Sequence, residues 1–222
     1  MSVKPIFTYP SPAGFTAFTM YAATGEREHL IQAAASWSGA SRYAWLTQVH
    51  SNVTHRITGD TPGGLEGDAM VTTETGILLG IFTADCVPVL LMGHGFAAAI
   101  HAGWRGFAGN IFASCLDRIK ARRSEIHAVI GPAICINCYE VGPEVAAHFS
   151  PEEIRDGRDA AHFHVDLPLA AKNRLVQAGL EPGHICLDTH CTACMSPVLP
   201  SYRKNATGNR MVTAVMRGPL SP

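Results

Sequence analysis

The sequence predicts an α+β fold: a single domain of layered mixed β-sheets flanked by helices. Three observations carry that expectation. Three short apolar runs, 77–82 (ILLGIF), 87–92 (VPVLLM) and 96–100 (FAAAI), are too short and too punctuated for one helix and read as buried strands. Helical and extended periods then alternate without the regular strand–helix–strand beat of a doubly wound sheet. Finally, 222 residues, 47% apolar and 16% charged, supply one full-sized core. No internal repeat, low-complexity tract or long linker divides the chain, so residues 1–222 are read as one domain.

From the amino terminus, residues 26–37 place Leu30, Ile31, Ala34 and Ala35 on one face of a helix. Residues 43–49 and 53–58 read as strands separated by the turn-prone Ser51-Asn52. Gly93-His94-Gly95 joins the second and third apolar runs as a hairpin. After His101 the period changes: Phe107, Ile111, Phe112, Cys115, Leu116 and Ile119 share one face of a single expected helix. Lys120, Arg122 and Arg123 follow, where positive charge complements the helix dipole. Residues 126–130 return to strand, stopped by Gly131-Pro132. Helices around 143–149 and 169–178 and strands near Ile185 and over 211–215 complete the set. The Pro/Gly-rich start, 59–67 and 204–209 are the expected loops.

Composition narrows the function. Seventeen basic against eighteen acidic residues leave a net charge of −1, with no global field to draw nucleic acid or an anionic membrane. No apolar run approaches the roughly 18 to 20 residues of a membrane span. The start, MSVKPIFTYPSPAG, lacks the basic-then-apolar order of a signal peptide, so a cytoplasmic location is expected. Without a heptad seam, a monomer is the simplest assembly. Seven cysteines, an odd number, argue against a secreted disulfide framework, while eleven histidines make metal chemistry worth testing.

Three residues stand at similar local positions. His50 ends a strand (WLTQVH), Cys86 sits between two (TADC), and His101 ends a third (AAIH). Two imidazoles and a thiolate form a zinc set that leaves a fourth position open. Each alone is more often a packed core group than a ligand, and periodicity does not show that they meet. Asp85, beside Cys86, is suited to orienting a ligand or to acting as general base. Asp68, beside Gly67, reads as a turn cap or as a substrate contact. Gly103-Trp104-Arg105-Gly106 opens a helix whose N–H groups, with Arg105, suit a phosphate; the bland alternative is a tight turn beside a solvated charge. Cys135/Cys138 and Cys191/Cys194 form two CxxC pairs. Their separation is far longer than that of a compact zinc ribbon, so buried thiols are preferred over a Cys₄ site.

Taken together, QVHS (48–51), GDAMVTT (67–73), TADCVPVLL (83–91), HAGWRGFAGNI (101–111), IGPAICINCYEVGPEV (130–145) and SYRKN…GNR (201–210) resemble the YfiH/YlmD family, also called laccase-domain or polyphenol oxidoreductase proteins. The resemblance covers roughly residues 40–215. It implies a single α+β domain and a zinc ion held by His50, Cys86 and His101. It also implies phosphorolysis of purine nucleosides (adenosine, inosine, guanosine, methylthioadenosine) to base and sugar 1-phosphate, with adenosine deamination as a side activity. The partners are then small molecules, nucleoside and phosphate. On this reading His50, Cys86, His101 and Asp85 form the catalytic set and Asp68 and Arg203 contact substrate, with Arg105 added on its position rather than on the resemblance; Arg203 and Arg210 are the arginines that the carboxyl-terminal SYRKNATGNR stretch offers. A multicopper laccase needs several His-x-His pairs, whereas here only His162 and His164 are so spaced, which makes copper the lesser alternative to zinc. Relatives usually carry an amino-terminal Arg-Gly-Gly turn; the comparable stretch here, GFTAFTMYAATGE, lacks it. Two further alternatives are a hydrolase editing peptidoglycan precursors with Cys86 as nucleophile, and a non-enzymatic zinc-binding protein built on the CxxC pairs.

Overall fold

The computed structural model describes residues 5–22, 26–206 and 208–218. Part of the stretch compared above with an Arg-Gly-Gly turn, residues 23–25, lies outside them, as do the first four residues of the chain. Strands β1 (Pro5–Thr8) and β2 (Phe15–Met20) lead into helix α1 (Arg27–Ser38). Six strands follow: β3 (Arg42–Ala44), β4 (Thr54–Ile57), β5 (Ala69–Thr72), β6 (Ile77–Thr83), β7 (Val87–Gly93) and β8 (Phe96–Ala102). After α2 (Trp104–Ala108) and α3 (Ile111–Leu116) come β9 (His127–Ile130), β10 (Glu140–Val141), α4 (Pro143–Ala146), β11 (Ile154–Asp156) and β12 (Phe163–Val165). The chain closes with α5 (Leu167–Gln177), β13 (Ile185–Leu187), α6 (Tyr202–Asn205) and β14 (Met211–Arg217).

Two large sheets form the body: β1-β2-β14-β6-β3 and β13-β9-β7-β8-β5-β4; a small third sheet orders β10-β12-β11. Alternate side chains explain the stacking. Leu79 and Ile81 of β6 and Val215 of β14 meet Met70, Leu90, Met92, Ala97 and Ala99 of the second sheet. Leu78, Phe82, Val212 and Ala214 point the other way, onto Leu30, Ile31, Ala34 and Ala35 of α1. On the far side Val87, Val89, Leu91, Ala98 and Ile100 lie under Phe107, Ile111, Phe112, Ala170, Ala171 and Leu175 from α2, α3 and α5. Every residue of β6, β7 and β8 is therefore buried. That is why these runs are continuously apolar rather than alternating. Gly80 lets α1 approach: a Cβ there would lie 2.4 Å from Cδ1 of Ile31. Ile31 is fully buried, which contributes about 1.5–3 kcal/mol.

The α+β layering agrees with the sequence reading, and so does the hairpin. β7 and β8 pair antiparallel from Val87↔Ala102 to Gly93↔Phe96, leaving His94-Gly95 as a two-residue turn with Gly95 at φ 82°. Other expectations are corrected. The helix expected over Phe107–Ile119 is two short helices, because Asn110 adopts a left-handed φ of 59°. The cationic end survives in another form: the Arg123 guanidinium donates to the carbonyls of Leu116 (2.9 Å) and Ile119 (3.3 Å). The strand expected over 43–49 covers Arg42–Ala44, followed by a lone bridge from Thr47 to Glu66. It belongs to a different sheet from β4, so Ser51-Asn52 turns between layers rather than within a hairpin. Strand β1 occupies part of the Pro/Gly-rich start expected as a loop, and strands β2 and β5 and the small sheet match no expected element.

Candidate metal centre

The register of three neighbouring strands builds the site. β8 lies between β7 and β5, pairing Pro88↔His101 on one side and Ala69↔Ile100 on the other. Cys86, just before β7, and Asp68, just before β5, therefore flank His101 at one end of the sheet. The His101 N–H donates to the Asp68 carbonyl at 2.7 Å. His50 arrives from the loop beyond Thr47 with φ 60°, and Asp85 turns the β6–β7 corner at φ 93°. Non-glycine residues rarely adopt such conformations, and they concentrate at functional sites.

Nε2 of His50 is 3.8 Å from Sγ of Cys86, the rings of His50 and His101 meet edge to face at 4.8 Å, and one ligand atom from each of the three residues falls within 4.8 Å of the others. Exposure is graded: His50 is exposed, Cys86 half-buried and His101 buried. Burial alone would push the Cys86 thiol up, but hydrogen bonds to His101 and His50 and their positive charge outweigh it and bring it down to about 6. Burial would likewise lower His101; its hydrogen bonds to Asp68 and Cys86 dominate and raise it to about 9. A borderline-soft cation suits this N₂S donor set. Gly103 gives the site its room: a Cβ there would lie 2.8 Å from Cδ2 of His50 and 3.1 Å from Sγ of Cys86.

The two aspartates exchange the roles expected of them. Asp68 is fully buried and is not among the residues that line the neighbouring pocket. Its Oδ1 sits 2.7 Å from Nδ1 of His101, which leaves Nε2 for a metal, the usual arrangement behind a ligating histidine. The same carboxylate collects the successive N–H groups of Val49, His50 and Ser51 (3.3, 3.1 and 2.6 Å) and the Ser51 hydroxyl. Such converging amides form an anion nest, filled here by a side chain. Asp85 orients none of the three ligands through a hydrogen bond; its oxygens accept from the Thr192 hydroxyl (2.6 Å) and the Arg203 N–H (2.7 Å). It still lines the pocket.

That pocket has a volume of about 280 Å³. Three guanidinium groups line it: Arg27, Arg203 and Arg210. Partial desolvation and the charge of Arg210 draw Arg27 below its usual range, a sign that two cations converge. Arg203 donates to the Glu140 carbonyl and stands over the Tyr139 ring. Burial and the Cys86 thiolate push the Tyr139 phenol up to about 12. Arg105, expected to clamp phosphate, stacks on Trp104 at 4.3 Å and is not among the lining residues. Sequence reasoning missed Arg27, Gln48, Phe82, Thr83, Tyr139 and Tyr202. The Gln48 amide bonds both the N–H and the C=O of Phe82, tying the QVH loop to β6. The buried Thr83 hydroxyl finds no partner among the described residues. A larger hollow of about 640 Å³, with Tyr43, Trp45 and Leu65 in its wall, shares no lining residue with this pocket.

The four remaining CxxC sulfurs, expected as separate buried thiols, also converge to within 4.8 Å. His162 and His164 bond to Asp159 and to the Ile136 carbonyl, and belong to neither ligand group.

The model of a family described as multi-copper polyphenol oxidoreductase laccase matches residues 21–218. A purine nucleoside phosphorylase of Deinococcus radiodurans is 37% identical over 190 residues, 83% of this chain and 73% of the relative. An adenosine deaminase, RL5, from an unknown prokaryotic organism is 38% identical over 166 residues, 69% of this chain and 63% of the relative. The crystal structure of YlmD from Geobacillus stearothermophilus superposes with a TM-score of 0.80 at 25% identity, covering 97% of this chain and all of that one.

Proposed function

Because the chain belongs to the multi-copper polyphenol oxidoreductase laccase family, alongside YlmD, we propose that it is a zinc-dependent purine nucleoside phosphorylase with adenosine deamination as a side activity. The observation that carries this reading is the joining of an N₂S ligand set to three guanidiniums in one pocket. The relatives named purine nucleoside phosphorylase and adenosine deaminase support it.

His50, Cys86 and His101 would hold the metal, which when bound supplies Lewis acidity toward a substrate oxygen. The chain's own groups account for the rest. Phosphorolysis needs a phosphate held against the anomeric carbon while the purine departs. Arg27, Arg203 and Arg210 provide charge-assisted donors for that anion and remove the entropy cost of its encounter with the sugar. Tyr139 and Tyr202 offer aromatic surface to a purine. Zinc is favoured over copper because the His₂Cys set is joined by no second histidine cluster of the kind a multicopper oxidase needs among the described residues. Phosphate-dependent release of hypoxanthine from inosine, lost in His101→Ala, tests the proposal. Metal-loaded protein that releases no base in phosphate would overturn it.

One observation favours a second reading. Cys86, His101 and Asp68 follow one another as nucleophile, base and orienting carboxylate, the order of a cysteine hydrolase. That reading, which fits editing of cell-wall precursors, predicts hydrolysis without phosphate and full activity in chelator-treated protein.

A further inference from the structure

We propose that Cys135, Cys138, Cys191 and Cys194 form a second, purely structural metal centre, a zinc tetrathiolate separate from the His50–Cys86–His101 site. Their four sulfurs lie within 4.8 Å of one another, with Cys138 and Cys194 at 3.5 Å. A tetrahedron with Zn–S bonds of about 2.3 Å has sulfur–sulfur edges of roughly 3.8 Å, so the cluster is already close to that geometry.

The backbone is arranged as a pair of knuckles. Cys138 and Tyr139 N–H groups turn back on the Cys135 carbonyl, and the Met195 N–H on the Cys191 carbonyl. The N–H groups of Cys135 and Cys194 both point at Sγ of Cys191, at 3.3 and 3.4 Å. Donors aimed at sulfur favour its ionised, ligating form. The two knuckles are aligned by a parallel bridge from Ala133 to Cys191 and by the Thr192 N–H on the Ala133 carbonyl. Uptake of the cation releases the four thiol protons to solvent and changes no oxidation state. The resulting net charge of about −2 faces a surface depression that Arg203 and Lys204 line together with Cys138 and Cys194.

Four thiolates leave no open coordination position, so this centre does no chemistry of its own. Its place in the fold gives its role. Tyr139 follows Cys138 directly, and Thr192, next to Cys191, holds Asp85, which holds the Arg203 N–H. The metal would staple the two loops that make one wall of the pocket.

The inference is independent of the phosphorylase reading, and metal counting tests it. Full-length protein is stripped with chelator under reductant, reloaded with cobalt(II) and read by stoichiometry and absorption. Wild type should bind two cobalt ions, one with the intense thiolate-to-cobalt bands of a tetrathiolate. His101→Ala should keep that signature with one ion bound, and Cys138→Ser/Cys194→Ser should lose it. Should the double variant fail to fold, His101→Ala alone decides. A His101→Ala protein that binds no cobalt, or whose four cysteines are recovered as disulfides after anaerobic purification, overturns the assignment.

Discussion

Asp68 and His101 face each other across adjacent strands with Oδ1 2.7 Å from Nδ1, and the same carboxylate gathers the backbone of residues 49–51. One buried anion thus fixes the ring of one candidate ligand and the main chain of another. Asp68→Asn keeps the shape but removes the charge and turns an amide donor toward donors. Metal affinity at the His50–Cys86–His101 site should fall by about 10- to 100-fold, the usual effect of losing such a partner. Competition with a chromophoric chelator measures it, and unchanged affinity would refute the role.

Acidity offers a second test. In chelator-stripped protein Cys86 titrates at about 6, so its thiolate predominates at neutral pH and is lost as pH falls through that value. The alkylation rate of the Cys86 peptide should follow that midpoint, and His101→Ala should move it up toward the ordinary thiol range. His101, raised to about 9, keeps its proton between pH 6 and 9 while Cys86 has lost its own. Metal uptake at the His50–Cys86–His101 site in that window should therefore release about one proton, read with a pH indicator as the difference between wild type and His101→Ala.

Gly103 has no room for a methyl group. Gly103→Ala would bring a carbon to 2.8 Å from the His50 ring and 3.1 Å from the Cys86 sulfur. The ligands must then spread, and metal content should drop while the far-ultraviolet circular dichroism stays native. Full metal content in the variant would count against the close approach.

The pocket arginines carry a kinetic prediction. Arg27→Gln removes one charge-assisted contact, worth about 1.5–3 kcal/mol, so KM for phosphate should rise roughly 10- to 100-fold. Arg105→Gln, whose side chain stacks on Trp104, should have the smaller effect. The opposite ranking would restore Arg105 as the phosphate ligand.

Thr83→Val replaces the unpartnered hydroxyl with a methyl of similar size. A hydroxyl that meets no partner among the described residues costs little to remove, so thermal stability should hold or rise. A variant less stable than wild type in thermal unfolding would place a partner of Thr83 within the protein.

The legible parts of this fold were those set by short-range rules. The β7–β8 hairpin could be read because two covered faces make each strand continuously apolar and a two-residue turn with a glycine punctuates it. His50, Cys86 and His101 were marked by motif and strand-end position. Asp68 is marked by its motif too, but its role behind His101 is not, because that role depends on the lateral pairing of β5 with β8, and pairing leaves no local trace. The four CxxC cysteines were discounted for the same reason: the Ala133–Cys191 bridge that unites them closes a long loop. The helix break at Asn110 escaped notice because apolar spacing persists through a single left-handed residue. Arg27 carried no signal, since nothing within its own helix says which sheet end its side chain will overhang.

The placement of Cys86, His101 and Asp68 at the ends of β7, β8 and β5 also makes the site a clock for assembly. No peptide bearing QVHS, TADC or HAGW alone contains the ligand set; it exists once three strands have paired in register. A slip of one residue along β8 would turn His101 to the opposite face. During refolding, tight metal capture at the His50–Cys86–His101 site should therefore appear with completion of the central sheet, later than helix formation, and serve as a reporter of correct strand register in a chain with many long-range pairings.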